Sequence, residues 1–155
     1  MTNMKIGDKL PQISVNCTPD QTLKLTSIKQ KNIIIYFYPK DSTPGCTTEG
    51  QNFRDHFKQF ASCDTIIFGV SRDSIKSHSN FKEKQQFPFE LISDPKEILC
   101  KAFDVIKLKK LYGREYMGIE RSTFLFNKKA RLVNEWRKIR VKGHVDLVLE
   151  VVKAL

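Results

Sequence analysis

The sequence predicts an α/β protein built on a central mixed sheet flanked by helices. Residues 33–38 read Ile-Ile-Ile-Tyr-Phe-Tyr and residues 65–71 read Thr-Ile-Ile-Phe-Gly-Val-Ser. Unbroken β-branched and aromatic runs of this length are strands buried on both faces, as in the middle of a parallel sheet. Between them, from about Gly45 to Ala61, Phe53, Phe57 and Phe60 recur at the i, i+4, i+7 spacing of a helix face. Strand, helix and strand at this separation make a βαβ unit.

The other elements follow in order. Ile13–Cys17 and Thr22–Leu25 flank Thr18-Pro19-Asp20-Gln21 and read as an N-terminal β-hairpin. A helix over Ser74–Gln86 is capped by Asp73 or Ser74 and ends before Pro88. A short strand at Phe89–Ile92 precedes a helix over Pro95–Phe103, with Asp94 as its cap. A loop rich in Lys, Tyr and Gly runs on to Glu120. Ser122–Phe126 and Arg131–Trp136 form a hairpin around Asn127-Lys-Lys-Ala. The last helix, His144–Leu155, buries Val145, Val148, Leu149 and Val152. No repeat, low-complexity tract or Gly/Ser linker interrupts the chain, so residues 1–155 are expected to form one domain.

Composition narrows the function. The formal charge is +10, but the lysines are dispersed, and the densest clusters, Lys107–Arg114 and Arg137–Lys142, match no nucleic-acid motif. A solvated basic surface is the better account than a specific nucleic-acid partner. No stretch is apolar enough to span a bilayer, and Met1–Leu10 has lysines and no apolar block. A soluble cytoplasmic protein is therefore the default, and a monomer is expected because no exposed apolar stripe stands out. Cysteines 17, 46, 63 and 100 include no C-x-x-C pair and no zinc spacing. With 40% hydrophobic residues the chain needs no disulfide framework, so the thiols are read as reduced and no metal or cofactor is implied.

One cysteine stands apart. Cys46 falls in the first turn of the helix that follows the first buried strand, beyond the carboxyl end of the sheet where α/β sites form. Free backbone N–H groups and the positive end of the helix dipole favour a thiolate there. Cys46, Gly50, Phe53, Phe57 and Phe60 share the core-facing stripe, so the sulfur is expected in a partly enclosed pocket, with Gly50 leaving space one turn below. The Thr43 hydroxyl can meet a bound oxygen, and Pro39 can shield the sulfur from water. This chemistry makes Cys46 the most reactive of the four cysteines and suits attack on a peroxide, which oxidises the thiolate to a sulfenic acid, but it does not by itself select peroxide as the substrate. His56, His78 and His144 show no pairing with a cysteine or carboxylate at a useful spacing. Trp136, Tyr36 and Tyr116 read as packing residues.

The run Tyr38-Pro39-Lys-Asp-Ser-Thr43-Pro-Gly-Cys46-Thr-Thr-Glu49 resembles the P-x-x-x-T-x-x-C motif of peroxiredoxins, in particular the bacterioferritin-comigratory (peroxiredoxin Q) branch. Further blocks match in order: Gly7-Asp8, Gly69 to Ser74, Ser93-Asp94-Pro95, and Tyr116 through Arg121 to Leu125. The resemblance implies a thioredoxin-like fold and a thiol-dependent peroxidase of hydrogen peroxide and organic hydroperoxides, serving antioxidant defence. It implies that Cys46 is the peroxidatic cysteine and that Thr43, Pro39 and Arg121 complete its pocket. Glu49 is expected to orient Arg121, although an acid favoured by the helix N-terminus accounts for it equally well.

The resemblance also shows what is missing. Many members of the branch carry a resolving cysteine five residues after the peroxidatic one, where this chain has Gln51; others carry it on the next helix, about where Lys82 stands. Cys63 lies past the far end of the same helix, roughly 25 Å away, far beyond the ~6 Å Cα separation of a disulfide. Cys46 acting alone is the favoured reading, with Cys17, Cys100 or a second chain as alternative partners. A lone Cys46 needs an external thiol, and thioredoxin, glutaredoxin and glutathione all qualify. A thiol–disulfide oxidoreductase is disfavoured by the lack of a neighbouring cysteine, and a redox sensor is the non-enzyme alternative.

Overall fold

The computed structural model describes residues 4–155. Among the described residues nine strands and five α-helices follow one another. They run β1 (Ser14–Cys17), β2 (Gln21–Lys24), β3 (Asn32–Phe37), α1 (Pro44–Asp55), α2 (Phe57–Ser62), β4 (Thr65–Ser71), α3 (Ile75–Gln85) and β5 (Glu90–Ser93). Then come α4 (Ile98–Ala102), β6 (Ile106–Leu111), β7 (Arg114–Ile119), β8 (Ser122–Phe126), β9 (Leu132–Trp136) and α5 (His144–Lys153). Among the described residues no helix is long and apolar enough to cross a membrane.

Seven strands form one sheet in the order β2-β1-β5-β4-β3-β8-β9. The three central strands β3, β4 and β5 are parallel, and every pairing outside them is antiparallel. All six residues of β3 are buried, as its unbroken apolar run requires. Alternation along that strand divides the interior in two. Ile33, Ile35 and Phe37 join a core that contains Cys17, Leu99, Cys100 and Phe103. Ile34, Tyr36 and Tyr38 join a second core on the opposite face, with Cys46, Phe53, Phe60, Phe81 and Val148. Helices α1, α2, α3 and α5 therefore cover one face, and α4 covers the other. Tyr36 stacks on Phe53 with ring centroids 4.5 Å apart, which fixes α1 against the sheet.

The helix expected over residues 45–61 is two helices. His56 leaves the helical region (φ −102°, ψ 7°), and its ring nitrogen sits 2.8 Å from the Asn52 carbonyl, competing with the backbone N–H that lies 3.3 Å away. The break leaves Phe57 only partly buried while Phe53 and Phe60 stay in the core. The helix expected over Pro95–Phe103 is shorter, because Glu97 is left-handed (φ 60°); Asp94 nonetheless accepts the Leu99 and Cys100 N–H groups at 3.2 and 2.7 Å. In α3, the Ser74 hydroxyl caps the Ser77 N–H.

The larger difference is at residues 104–120, expected as a loop. They form an antiparallel ribbon, β6 with β7, separate from the main sheet. Its turn, Tyr112-Gly113, has positive φ at both residues (52° and 78°), a pattern in which glycine is favoured at the second position. The ribbon exposes Leu108, Leu111, Tyr112, Tyr116 and Met117, so the premise that no apolar surface is exposed does not hold.

Candidate active site

The site begins where β3 ends. Tyr38 continues the strand direction, its N–H bonded to the Val70 carbonyl at 3.0 Å, and Pro39, half-buried, opens the loop to α1. Thr43 caps α1 with extended backbone, and Pro44 occupies the first helical position, where its missing N–H costs nothing. Cys46 is therefore in the first turn, and it is 2% exposed.

Arg121 reaches this sulfur from the segment between β7 and β8. Its Nη2 lies 3.5 Å from Cys46 Sγ, while Nη1 donates to Glu49 Oε1 at 2.7 Å. One guanidinium thus spans two residues of the same helical face, as its planar fork allows. Gly45 makes room for it: a Cβ there would lie 3.2 Å from Nη2. Glu49 is fully buried, and its second oxygen, Oε2, has no hydrogen-bond partner. Burial pushes this carboxyl up to about 7 against the opposing pull of Arg121. The phenol of Tyr36, buried beside the pair, is pushed well above its usual range by burial and by Glu49. Lys109, from the ribbon, is close enough to feel the charges of Arg121 and Cys46, and burial followed by Arg121 lowers its ammonium.

Two expectations about the pocket change. The Thr43 hydroxyl donates to the Lys40 carbonyl at 2.7 Å, which ties the loop to itself. The space below Gly50 is not free, because the Phe87 ring fills it; a Cβ at Gly50 would come 2.3 Å from Phe87 Cζ.

Sequence reasoning passed over a buried network that holds the loop. Asp41, five residues before Cys46, is almost fully buried. Its Oδ1 accepts the Tyr38 hydroxyl at 2.6 Å, and its Oδ2 accepts the Ser77 hydroxyl at 2.8 Å and faces His78 Nδ1 at 2.7 Å. His78 Nε2 donates to the Ile92 carbonyl at 2.8 Å, and the Asp41 N–H donates to Asp73 at 2.8 Å. So His78 does pair with a carboxylate, through the fold rather than along the chain. The same holds for His56, 3.2 Å from Asp146. His144 instead meets the Thr123 hydroxyl at 2.8 Å. Asp41, Asp73 and His78 have the donor types of a metal site. Each is already taken up by these hydrogen bonds, so they serve as a structural clamp.

The positions expected for a resolving cysteine are occupied by other interactions. Gln51 donates to Gln85 at 2.9 Å, and Lys82 pairs with Glu90 at 2.6 Å. Cys17 and Cys100 lie in the core across the sheet from Cys46, and Cys63 caps the far end of α2.

The family model of the AhpC/TSA family matches residues 6–134. Peroxiredoxin Bcp of Bacillus subtilis is 52% identical over 150 residues, which is 97% of this chain and 96% of that one. The chain belongs to the AhpC/TSA family, in its peroxiredoxin Bcp branch. It is a thiol-dependent peroxidase with the thioredoxin-like fold of that family. Among solved structures, a cysteine-to-serine mutant of Xylella fastidiosa PrxQ superposes with a TM-score of 0.93 at 44% identity, covering 99% of this chain and 98% of that one. Xanthomonas campestris bacterioferritin comigratory protein gives a TM-score of 0.87 at 48% identity, covering 92% and 90%.

Proposed function

We propose that Cys46 is the peroxidatic cysteine of a one-cysteine peroxidase that reduces hydrogen peroxide and alkyl hydroperoxides and is regenerated by an external thiol. The observation that carries this reading is the Arg121 guanidinium, held between Glu49 and the Cys46 sulfur at the N-terminus of α1. Alkyl peroxide reduction is the activity named for the Xanthomonas campestris relative.

The Cys46 thiolate attacks the terminal oxygen of R–O–O–H. A sulfur–oxygen bond forms, the O–O bond breaks, and R–O⁻ leaves and takes up a proton as the alcohol or water. The sulfur loses two electrons and becomes a sulfenic acid. Arg121 supports the charge that develops on the departing oxygen. Free N–H groups in the first turn of α1 act in the same direction. Thr43 and Pro39 hold the loop's shape at the pocket, and Glu49 positions Arg121.

Regeneration from outside is supported by the placement of the other thiols. Cys17 and Cys100 are separated from Cys46 by the sheet, and burial is the first cause that pushes both of their thiols up. An external thiolate, from thioredoxin, glutaredoxin or glutathione, displaces water from the sulfenic acid to give a mixed disulfide. A second thiol then frees Cys46. We take the chain to act as one domain and a monomer, with no bound metal or cofactor.

The test is intact-mass measurement after one equivalent of peroxide, with and without a dimedone-type trap. The expected result is one trap adduct at Cys46 and none in Cys46→Ser. An untrappable species two hydrogens lighter, or a covalent dimer, rejects the one-cysteine cycle.

A further inference from the structure

The ribbon β6–β7 takes no part in the chemistry above, yet it carries five of the nine large apolar side chains exposed among the described residues. Tyr112, at its turn, is 97% exposed. Between Ile106 and Ile119 stand four cations, Lys107, Lys109, Lys110 and Arg114, against one carboxylate, Glu115. Clustered apolar exposure with one sign of charge marks an interaction surface rather than an ordinary solvated edge.

The register resolves this surface into two faces. Leu111 pairs with Arg114, Lys109 with Tyr116 and Lys107 with Gly118, and alternation puts these side chains on one side of the ribbon. Leu108 and Met117 pair on the other side. The first face is the one that leads to the site. Ile119, on the Leu108–Met117 side, is buried in the core across the sheet from Cys46, so the first face turns the other way; on it Lys109 and Tyr116 both fold over Gly118, whose absent Cβ would touch them at 3.2 and 3.1 Å. The ribbon's base is fixed there: Arg72 donates to the Met117 carbonyl at 3.4 Å while paired with Glu97, and β7 ends two residues before Arg121.

We infer that the Leu111–Arg114–Tyr116 face, with Tyr112 at its tip, is the docking surface for the protein thiol that reduces Cys46. The occupant is an acidic protein whose reactive thiol sits at the rim of an apolar patch. The inference rests on the one-cysteine reading above. Charge complementarity selects an acidic partner: in a symmetric pair of this chain, one basic ribbon would face another. The position selects a thiol donor, since this face runs down β7 to within two residues of Arg121, and a protein seated along it reaches the rim of the site. With Cys46 only 2% exposed, a protein thiol needs residence at the pocket to reach the sulfur, and an adjacent anchor supplies it. An aromatic and a cation on one ribbon face are the usual hot-spot types.

The experiment forms the Cys46 sulfenic acid with one equivalent of hydrogen peroxide, then measures its reduction by a purified acidic thioredoxin and, separately, by dithiothreitol. Wild type is compared with Arg114→Glu, with Leu111→Ser/Tyr112→Ser, and with Leu108→Ser/Met117→Ser on the opposite face. The first two variants are expected to lose about tenfold or more in the second-order rate with thioredoxin. Their dithiothreitol rate stays unchanged, and so does the opposite-face variant. The wild-type thioredoxin rate falls with added salt, and that of Arg114→Glu falls less. Equal thioredoxin rates in all four proteins, or a loss as large on the opposite face, overturn the docking face while leaving the one-cysteine cycle intact. An internal disulfide in place of the sulfenic acid rejects the cycle itself. If the face is covered by a second copy, wild type sediments as a dimer and Leu111→Ser/Tyr112→Ser as a monomer, and the inference is wrong. It is equally wrong if anionic vesicles bind wild type but not Arg114→Glu while thioredoxin rates stay equal.

Discussion

Arg121 contacts Cys46 and Glu49 at once, with Nη2 3.5 Å from the sulfur and Nη1 2.7 Å from the carboxylate. These contacts come from a residue 75 positions away from Cys46 in the chain. Arg121→Gln is expected to slow the first, peroxide-consuming step by about 10²–10³, the usual effect of removing one preorganised donor from a developing charge. Arg121→Lys restores little, since a single ammonium cannot bridge both partners. Stopped-flow oxidation with one equivalent of peroxide measures both.

Glu49 gives that arrangement a pH dependence. Its carboxyl, pushed up to about 7 by burial, binds a proton in the folded chain that it releases near 4.5 when unfolded. The folded state therefore holds more protons between those values. The stability contributed by the neutral carboxyl is complete below about 4.5 and is lost as pH rises through 7. Glu49→Gln, which keeps an acceptor for Arg121, should raise Tm relative to wild type more at pH 8 than at pH 5. A difference that is constant with pH contradicts this assignment.

His144 acts in the opposite direction. Burial, with the Arg121 charge, lowers its imidazole to about 4, so the unfolded chain takes up the proton first as pH falls below 6.5. Stability present above 6.5 is lost on acidification toward 4, at up to about 1.4 kcal/mol per pH unit. Thermal melts of wild type and His144→Gln across that window should converge as pH falls, with the variant showing the flatter profile.

Gly50 sits where α1 meets the Phe87 ring, and a Cβ would overlap it at 2.3 Å. Gly50→Ala should cost about 1–3 kcal/mol by overpacking, more than the gain in helix propensity returns. Urea denaturation reads the loss. Phe87→Leu in the Gly50→Ala background should recover part of it.

The central strands and the helix carrying Cys46 were legible because unbroken apolar runs and a phenylalanine stripe are local signals. Arg121 was legible only through a block of family resemblance, since nothing local marks an arginine between two strands. The ribbon β6–β7 escaped because its pattern, Lys-Leu-Lys-Lys-Leu, lacks the apolar face of a strand that packs on a core; its clue was Tyr112-Gly113 at a two-residue turn. The Asp41–His78 pair escaped for another reason. Its members lie 37 residues apart, and only the parallel pairing of β3, β4 and β5 brings them together.

The bonds from Asp41 to Ser77 and His78, and those from Gln51 and Arg54 to Gln85, brace α3 against the loop and helix that present Cys46. Lys82 on α3 reaches Glu90 at the start of β5, whereas Cys46 lies beyond the end of β3. Installing a sulfur at position 82 is therefore only half of a conversion to an internally resolved enzyme. The hydrogen bonds that hold α3 to the loop and helix of Cys46 oppose that approach, so a resolving sulfur on α3 works against the same contacts that now fix the site.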